Sequence, residues 1–169
     1  PAPYLMLAGL QVAQGLAKDA EVSATMLRDR PRLTGAGALL LGDVYAQTDR
    51  KAEAIKAYAE AAKAGEGEAA LIHKAALLDR TNGQGIATGE LETWLAAHPK
   101  DVTVRSFAAR RELASKDVAK AIHHYEVLLT VLPDSPGVTN ELAWLYLETK
   151  NPKALVMAEK AASLSPDNP

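Results

Sequence analysis

The sequence of 169 residues contains no cysteine, which excludes a disulfide framework, a thiolate metal site and a cysteine nucleophile. This absence leaves the redox compartment open, since periplasmic and cytosolic proteins can both lack cysteine. Phenylalanine occurs once, and the β-branched residues never gather into strand-like runs. No apolar run approaches the ~20 residues needed to cross a bilayer, so we predict no membrane insertion by this segment.

The sequence also lacks a large excess of positive or negative charge. Nineteen basic residues face 21 acidic ones, which gives a formal net charge of −2. Nucleic acids and anionic membranes select strongly basic surfaces, so we predict neither as the main partner. What the chain does have is alanine, 33 residues of it, mixed with Leu, Glu, Lys and Arg. This composition predicts an all-helical protein.

Small residues recur along the chain at a period of 33 or 34 residues, which indicates an internal repeat. Tyr58 and Tyr125 each follow one of these small residues by four positions, on the same face of a helix. Prolines recur in step, with Gly65 filling one gap. The prolines are Pro31, Pro99, Pro133 and Pro166. The small residues form two sets, namely Ala8, Gly42, Ala75, Ala109 and Ala143, and Ala20, Ala54, Ala87, Ala121 and Ala154.

The repeat is clearest in residues 37–65, where two helical stretches flank a short turn. Leu41 and Gly42, then Tyr45, Ala54 and Tyr58, stand where a tetratricopeptide repeat (TPR) has its signature residues, and the unit resembles that family. The resemblance implies a right-handed superhelical solenoid of ten antiparallel helices. Its five units would span residues 1–34, 35–67, 68–101, 102–135 and 136–169.

The signature residues have a physical purpose in such a repeat. Two helices of a hairpin approach closely only where side chains are small, so we expect Gly42 and Ala54 at their crossing. Tyr58 and Tyr125 would then fill the space between one hairpin and the next.

Two units depart from the pattern. Gly83, Gly85 and Gly89 fall in the third unit, and a glycine inside a helix costs about 1 kcal/mol relative to alanine, so we expect this unit to be the weakest. In the fourth unit Glu112 stands where the pattern has an aromatic residue. We therefore expect that helix to be rotated or more exposed.

No residue pattern in the chain predicts catalysis. The glycines of GQGIATG (83–89) do not have dinucleotide-binding spacing and follow no strand. His123 and His124 are neighbours on a helix and point about 100° apart, which does not suit one metal ion. His73 and His98 have no acidic or nucleophilic partner placed beside them by sequence. We therefore predict no catalytic residue, no metal site and no cofactor.

Basic residues concentrate in the fourth unit and have two interpretations. They form either a solvated face with local ion pairs or a patch for an anionic partner. The residues are Arg105, Arg110, Arg111, Lys116 and Lys120.

The family resemblance also implies where a partner would bind. TPR proteins usually hold a peptide in a concave groove lined by the first helix of each unit, and six residues here match groove-facing positions. Lys and Asn do not recur among them, which disfavours the carboxylate clamp of chaperone-binding TPR domains. Arg110 and Trp144 would together hold an extended peptide. The groove candidates are Asp43, Gln47, Arg80, Arg110, Trp144 and Glu148.

Residues 140–169 are similar to the large TPR lipoproteins associated with exosortase (PEP-CTERM) and exopolysaccharide systems of Gram-negative bacteria. That similarity implies a periplasmic or outer-membrane-associated protein; without it, a cytoplasmic location is equally compatible. We predict a non-catalytic scaffold that binds proteins or peptides. The alternatives are the recruiting or regulatory arm of a larger enzyme, such as a glycosyltransferase or peptidase, and self-association through apolar ends of the array.

The phrase LPDSP (132–136) predicts a helix start. Pro133 would help to end one unit, Asp134 or Ser135 would cap the next helix, and Pro136 suits its first turn. The chain closes on the similar SPDNP (165–169). This similarity, with a first residue that is not methionine, predicts one segment of a longer array.

Overall fold

The computed structural model describes residues 2–83 and 85–165. Within these ranges the chain forms ten α-helices and no β-strand. The predicted helix start at Pro166, Asp167, Asn168 and Pro169 lies outside the described residues. The helices are α1 (Ala2–Ala13), α2 (Ala17–Arg28), α3 (Thr34–Gln47), α4 (Lys51–Lys63), α5 (Gly67–Asn82), α6 (Thr88–Ala97), α7 (Val102–Ala114), α8 (Val118–Val131), α9 (Pro136–Glu148) and α10 (Ala154–Leu164).

The helices belong to two compact units, Pro1–Glu90 and Leu91–Pro169. The first unit holds α1 to α5 and the start of α6. In it α2, α3, α4 and α5 pack in chain order, each against the next, and α3 also contacts α1 and α5. The second unit holds the rest of α6 and α7 to α10, with α7 on α8, α8 on α9 and α9 on α10. No helix in the described ranges has both the length and the apolar character that a bilayer crossing requires.

The turns inside successive hairpins share one backbone feature, a residue with positive φ. It recurs every 33 or 34 residues, as the repeat predicts, and glycine supplies it at two of the five places. Gly83 and Gly85 therefore do not interrupt helices as we expected; they lie between α5 and α6, and only Gly89 is helical. The residues are Gly15 (71°), Asp49 (60°), Gly83 (86°), Lys116 (64°) and Lys150 (54°).

Short polar side chains begin several helices by capping free backbone amides. Ser135 accepts a hydrogen bond from the amide of Val138, and Pro136 is the first residue of α9, which confirms the helix start predicted at LPDSP. Of the two capping candidates there, the structure uses Ser135 rather than Asp134. Asp101 caps α7 in the same way, through an oxygen 2.9 Å from the amide nitrogen of Val104.

The core of each unit is built around the repeated small residues. In the first unit Ala8, Ala20, Gly42, Ala54 and Ala75 are buried. Leu41 and Tyr58 are the large side chains buried beside them. In the second unit Tyr125, Leu128, Leu142, Leu145 and Tyr146 form one apolar cluster with Ala109. Ala87 of the first unit is also buried, as are Ala121 and Ala143 of the second, whereas Ala154 is only half-buried.

The charged residues of the fourth repeat (102–135) do not form one solvated face. Glu112, expected to be exposed, is only 7% exposed, and Arg105 and Arg111 are equally buried. Lys120 pairs with Asp117 at 3.3 Å, and the negative charge of Glu112 also raises the pKa of Lys120. The carboxylate of Glu112 accepts a hydrogen bond of 3.4 Å from the hydroxyl of Ser115. Neither a solvated face with local ion pairs nor an exposed patch for an anionic partner therefore describes this cluster fully.

Candidate functional site

A groove opens on the first unit, between the first helices of successive hairpins. It encloses about 400 Å³. Its apolar walls come from Val12 of α1 and Ile72 and Leu77 of α5. Its polar side chains come from α3, α4 and α5. We call this groove the first-unit groove. These polar residues are Asp43, Gln47, Tyr58, His73 and Arg80.

Asp43 is the centre of a hydrogen-bond cluster in this groove. Its Oδ1 accepts a hydrogen bond from the hydroxyl of Tyr58 at 2.9 Å. The same oxygen lies 2.6 Å from Nδ1 of His73, which donates when that nitrogen carries a proton. The rings of Tyr58 and His73 meet edge to face, with centroids 5.9 Å apart. Three helices, α3, α4 and α5, are thus joined at one carboxylate.

The cluster shifts the protonation of both its aromatic members. Burial raises the pKa of Tyr58, and the adjacent Asp43 carboxylate raises it further, so the phenol stays neutral and remains a donor. The hydrogen bond to Asp43 raises the pKa of His73 above its usual 6.5, although burial opposes this effect. The pair therefore favours a charged imidazolium beside a carboxylate.

Arg80 lies at the edge of the groove and is fixed by the end of α3. Its Nη2 donates to the carbonyl oxygen of Ala46 at 2.9 Å. That carbonyl belongs to the last turn of α3, where helical carbonyls lack partners and the helix dipole attracts cations. The guanidinium is thereby oriented while most of its donors stay unused among the described residues.

The sequence reasoning placed Asp43, Gln47 and Arg80 on a groove, and all three line this one. It missed His73, for which no acidic partner could be placed from the sequence, whereas the structure places Asp43 against it. The available signal was register: His73 lies three residues before Ala76, one turn along the same helical face as the groove positions. Tyr58 was taken as a packing residue alone, and its hydroxyl was not considered.

The other three candidates lie on the second unit and are all exposed. Trp144 is 56% exposed and lines a depression of about 870 Å³ with Leu147, Leu155 and Ala158. Arg110 on α7 is not part of that lining, and neither is Glu148. The joint use of Arg110 and Trp144 by one peptide stays a prediction.

The chemistry available in the first-unit groove is that of recognition. An aspartate and a histidine in contact resemble part of a catalytic triad, but the described lining of the groove contains no serine, threonine or cysteine beside them. Across residues 2–83 and 85–165 no three His, Asp or Glu side chains group as a metal site. Fixed donors beside apolar walls are suited to holding a ligand.

No protein-family model matches the sequence, and no curated protein matches it. Solved structures match it over nearly its whole length. YrrB, described as a TPR protein with an unusual peptide-binding site, is 18% identical, with 98% of this chain and 87% of that chain covered and a TM-score of 0.62. The chain has the tetratricopeptide-repeat fold.

Two structures of MamA give the same result. A double mutant of MamA RS-1 is 15% identical, with 99% and 97% of the two chains covered and a TM-score of 0.66. A further MamA structure is 13% identical, with 98% and 91% covered and a TM-score of 0.65. The predicted TPR resemblance and the all-helical fold class are confirmed.

We predict that stability is greatest near pH 6.5, because two histidines shift in opposite directions. His73 has a raised pKa, so its bond to Asp43 contributes fully below pH 6.5 and is lost as the pH rises through that raised value. Burial lowers the pKa of His124 to about 4, so stability falls as the pH drops from 6.5 toward that value. At about 1.4 kcal/mol per pKa unit, the acidic change has an upper limit of about 3 kcal/mol, which solvent screening of the partly exposed ring reduces.

Thermal unfolding followed by circular dichroism from pH 4.5 to 9 measures both effects. Asp43→Asn should flatten only the alkaline side of the profile, and His124→Gln should flatten only the acidic side. If the Asp43→Asn variant keeps the alkaline slope of the wild type, the pair of His73 and Asp43 is not the source of that slope.

Proposed function

We propose that this chain is a non-catalytic protein-interaction scaffold that holds an extended peptide segment in the first-unit groove. The observation that carries the proposal is the prearranged cluster of Asp43, Tyr58 and His73, with Arg80 fixed beside it. Binding loses less free energy to ordering when the receptor side chains are already held. The description of YrrB as a TPR protein with a peptide-binding site supports the same class of function.

The groove has the composition that peptide recognition needs. Val12 and Ile72 offer apolar surface for side chains of a partner, and Gln47 is an exposed amide that can both donate to and accept from a peptide backbone. Ala76 leaves the floor between them open, since it is exposed and has a small side chain.

For the biological setting we propose the bacterial envelope, in protein sorting or exopolysaccharide export. This proposal rests on the resemblance of residues 140–169 to exosortase-associated TPR lipoproteins that the sequence suggested; the solved structures that match the chain support only the fold. The alternative is a recruiting arm of a larger enzyme, which would use the same groove to hold its substrate or regulator.

The groove proposal can be tested by steric blocking. Random dodecapeptides displayed on phage would be selected on the wild-type chain, and the selected peptides measured by fluorescence anisotropy. Ala76→Trp fills the exposed floor without disturbing the core, so we expect it to weaken binding at least tenfold. Ala62→Trp is the matched control, because Ala62 is exposed on α4 outside the groove lining.

The competing site on the second unit provides the other arm of the test. Arg110→Glu combined with Trp144→Ala should leave the selected peptides bound as in wild type. Peptides that tolerate Ala76→Trp but are lost in this double variant would assign binding to Trp144 and overturn the proposal.

A further inference from the structure

Positive charges outnumber negative ones among the side chains that line the first-unit groove. Three lining side chains carry charge when His73 is protonated: Asp43 is negative, and His73 and Arg80 are positive. Asp43 directs its Oδ1 at Tyr58 and His73, so its charge is largely neutralised within the protein. The surface offered to a ligand is therefore cationic.

His73 has one ring nitrogen committed and one available. Nδ1 contacts Asp43, and the side chain is 39% exposed. Its Nε2 has no hydrogen-bond partner in the part of the chain that the structure describes. A protonated imidazole carries a proton on both nitrogens, so Nε2 can donate to an anion that enters the groove.

Arg80 adds a second cation to the lining of the same groove. Its guanidinium contacts the Ala46 carbonyl, while His73 contacts Asp43. Ala46 and Asp43 are three residues apart on α3, about one helical turn. Their acceptors are therefore roughly 5 Å apart along the axis of α3, while His73 and Arg80 themselves are seven residues, about two turns, apart on α5.

Resting on the proposed peptide-binding function, we propose that the groove selects an internal acidic segment, with one Asp or Glu carboxylate accepting a hydrogen bond from Nε2 of His73 while Arg80 attracts it. A terminal carboxylate is the less suited source. The Lys and Asn side chains that hold a free C-terminus in chaperone-binding TPR domains do not recur here at the groove positions.

This mode of binding depends on pH because His73 supplies one of the two positive charges. The groups that face it are Asp43 from α3, Tyr58 from α4 and Arg80 from its own helix; among the described side chains of α1, the one that lines the groove is Val12, which is uncharged. Tyr58 stays neutral over the useful range because its pKa is raised. Loss of the His73 proton leaves Asp43 and Arg80 in balance, and the attraction for a carboxylate falls.

The test uses two fluorescein-labelled octapeptides with amidated C-termini, one with three internal glutamates and one with glutamines in their place. Anisotropy is measured at pH 6 and pH 9, where free glutamate is ionised throughout. We expect the glutamate peptide to bind roughly fivefold or more weakly at pH 9, and the glutamine peptide to show no such change. His73→Gln should bind at pH 6 as wild type does at pH 9, whereas His123→Gln, exposed on α8, should behave as wild type.

A second measurement does not depend on the variant folding. Binding of the glutamate peptide to the wild-type chain should raise the pKa of His73, followed through its ring resonances by NMR. Equal affinity for the two peptides, or a pH dependence that survives in His73→Gln, would overturn the proposal. A gain in affinity from a free C-terminus that exceeds the gain from internal glutamates would also overturn it. If phage-selected peptides bind in the groove without acidic preference, only this inference fails; if none depends on Ala76, the proposed function fails too.

Discussion

Gly37→Ala is expected to destabilise the first unit by about 3 kcal/mol, although it adds a single methyl group. A Cβ at this position would lie against the backbone of α2, with the carbonyl oxygen of Ala24 at 2.8 Å and the backbone atoms of Arg28 nearer still. Backbone atoms of a packed helix cannot rotate aside as a side chain can. The added atom must therefore push α2 and α3 apart, and the buried contacts along both helices loosen.

The control for Gly37 should change stability in the opposite direction. Gly9 lies inside α1, and a Cβ built there meets nothing within 4 Å. Gly9→Ala should therefore stabilise by up to ~1 kcal/mol through helix propensity alone. Urea unfolding followed at 222 nm compares the two variants. A Gly37→Ala protein as stable as Gly9→Ala would show that α2 and α3 do not approach as closely as described.

Local chemistry explains why the helical fold could be predicted. Ala-rich segments specify helices, and the positive-φ turn residues recur with the period of the repeat because each hairpin needs the same reversal. The start of α9 at Pro136 follows from the phrase LPDSP, although the choice of Ser135 over Asp134 as the cap does not. Glu112 shows the limit of such reasoning, because it is buried at a place where the repeat pattern has an aromatic residue, and only the packed helices reveal this.

The candidate site was only partly predictable for a similar reason. Asp43 and Arg80 follow from the groove register of the repeat. The contact between Asp43 and His73 joins residues 30 positions apart, and it depends on how far α5 is shifted along α3. That shift is set by side-chain packing between the helices, which no periodicity encodes. The role of the Tyr58 hydroxyl was hidden in the same way, because its ring alone accounts for its place in the repeat.

Gly42→Leu should destabilise the first unit by about 3–5 kcal/mol and leave the chain unfolded or associated. A Cβ at Gly42 would overlap ring carbons of Tyr58. That side chain is 2% exposed and cannot move outward without exposing the core. Urea unfolding and size-exclusion chromatography measure the two effects. Unchanged stability and size would contradict the packing of Tyr58 on Gly42.

The cause can be isolated with a second substitution, since the conflict is between two named side chains. Tyr58→Ala alone should cost about 3–5 kcal/mol, because it leaves a cavity and removes a donor to Asp43. In the Gly42→Leu background the same change makes room for the leucine, so the double variant should be more stable than the sum of the two losses by at least ~1 kcal/mol. Additive losses would mean that the leucine meets something other than Tyr58. Because the ring of Tyr58 rests on Gly42 while its hydroxyl holds Asp43, the glycine also sets the position of the carboxylate that orients His73.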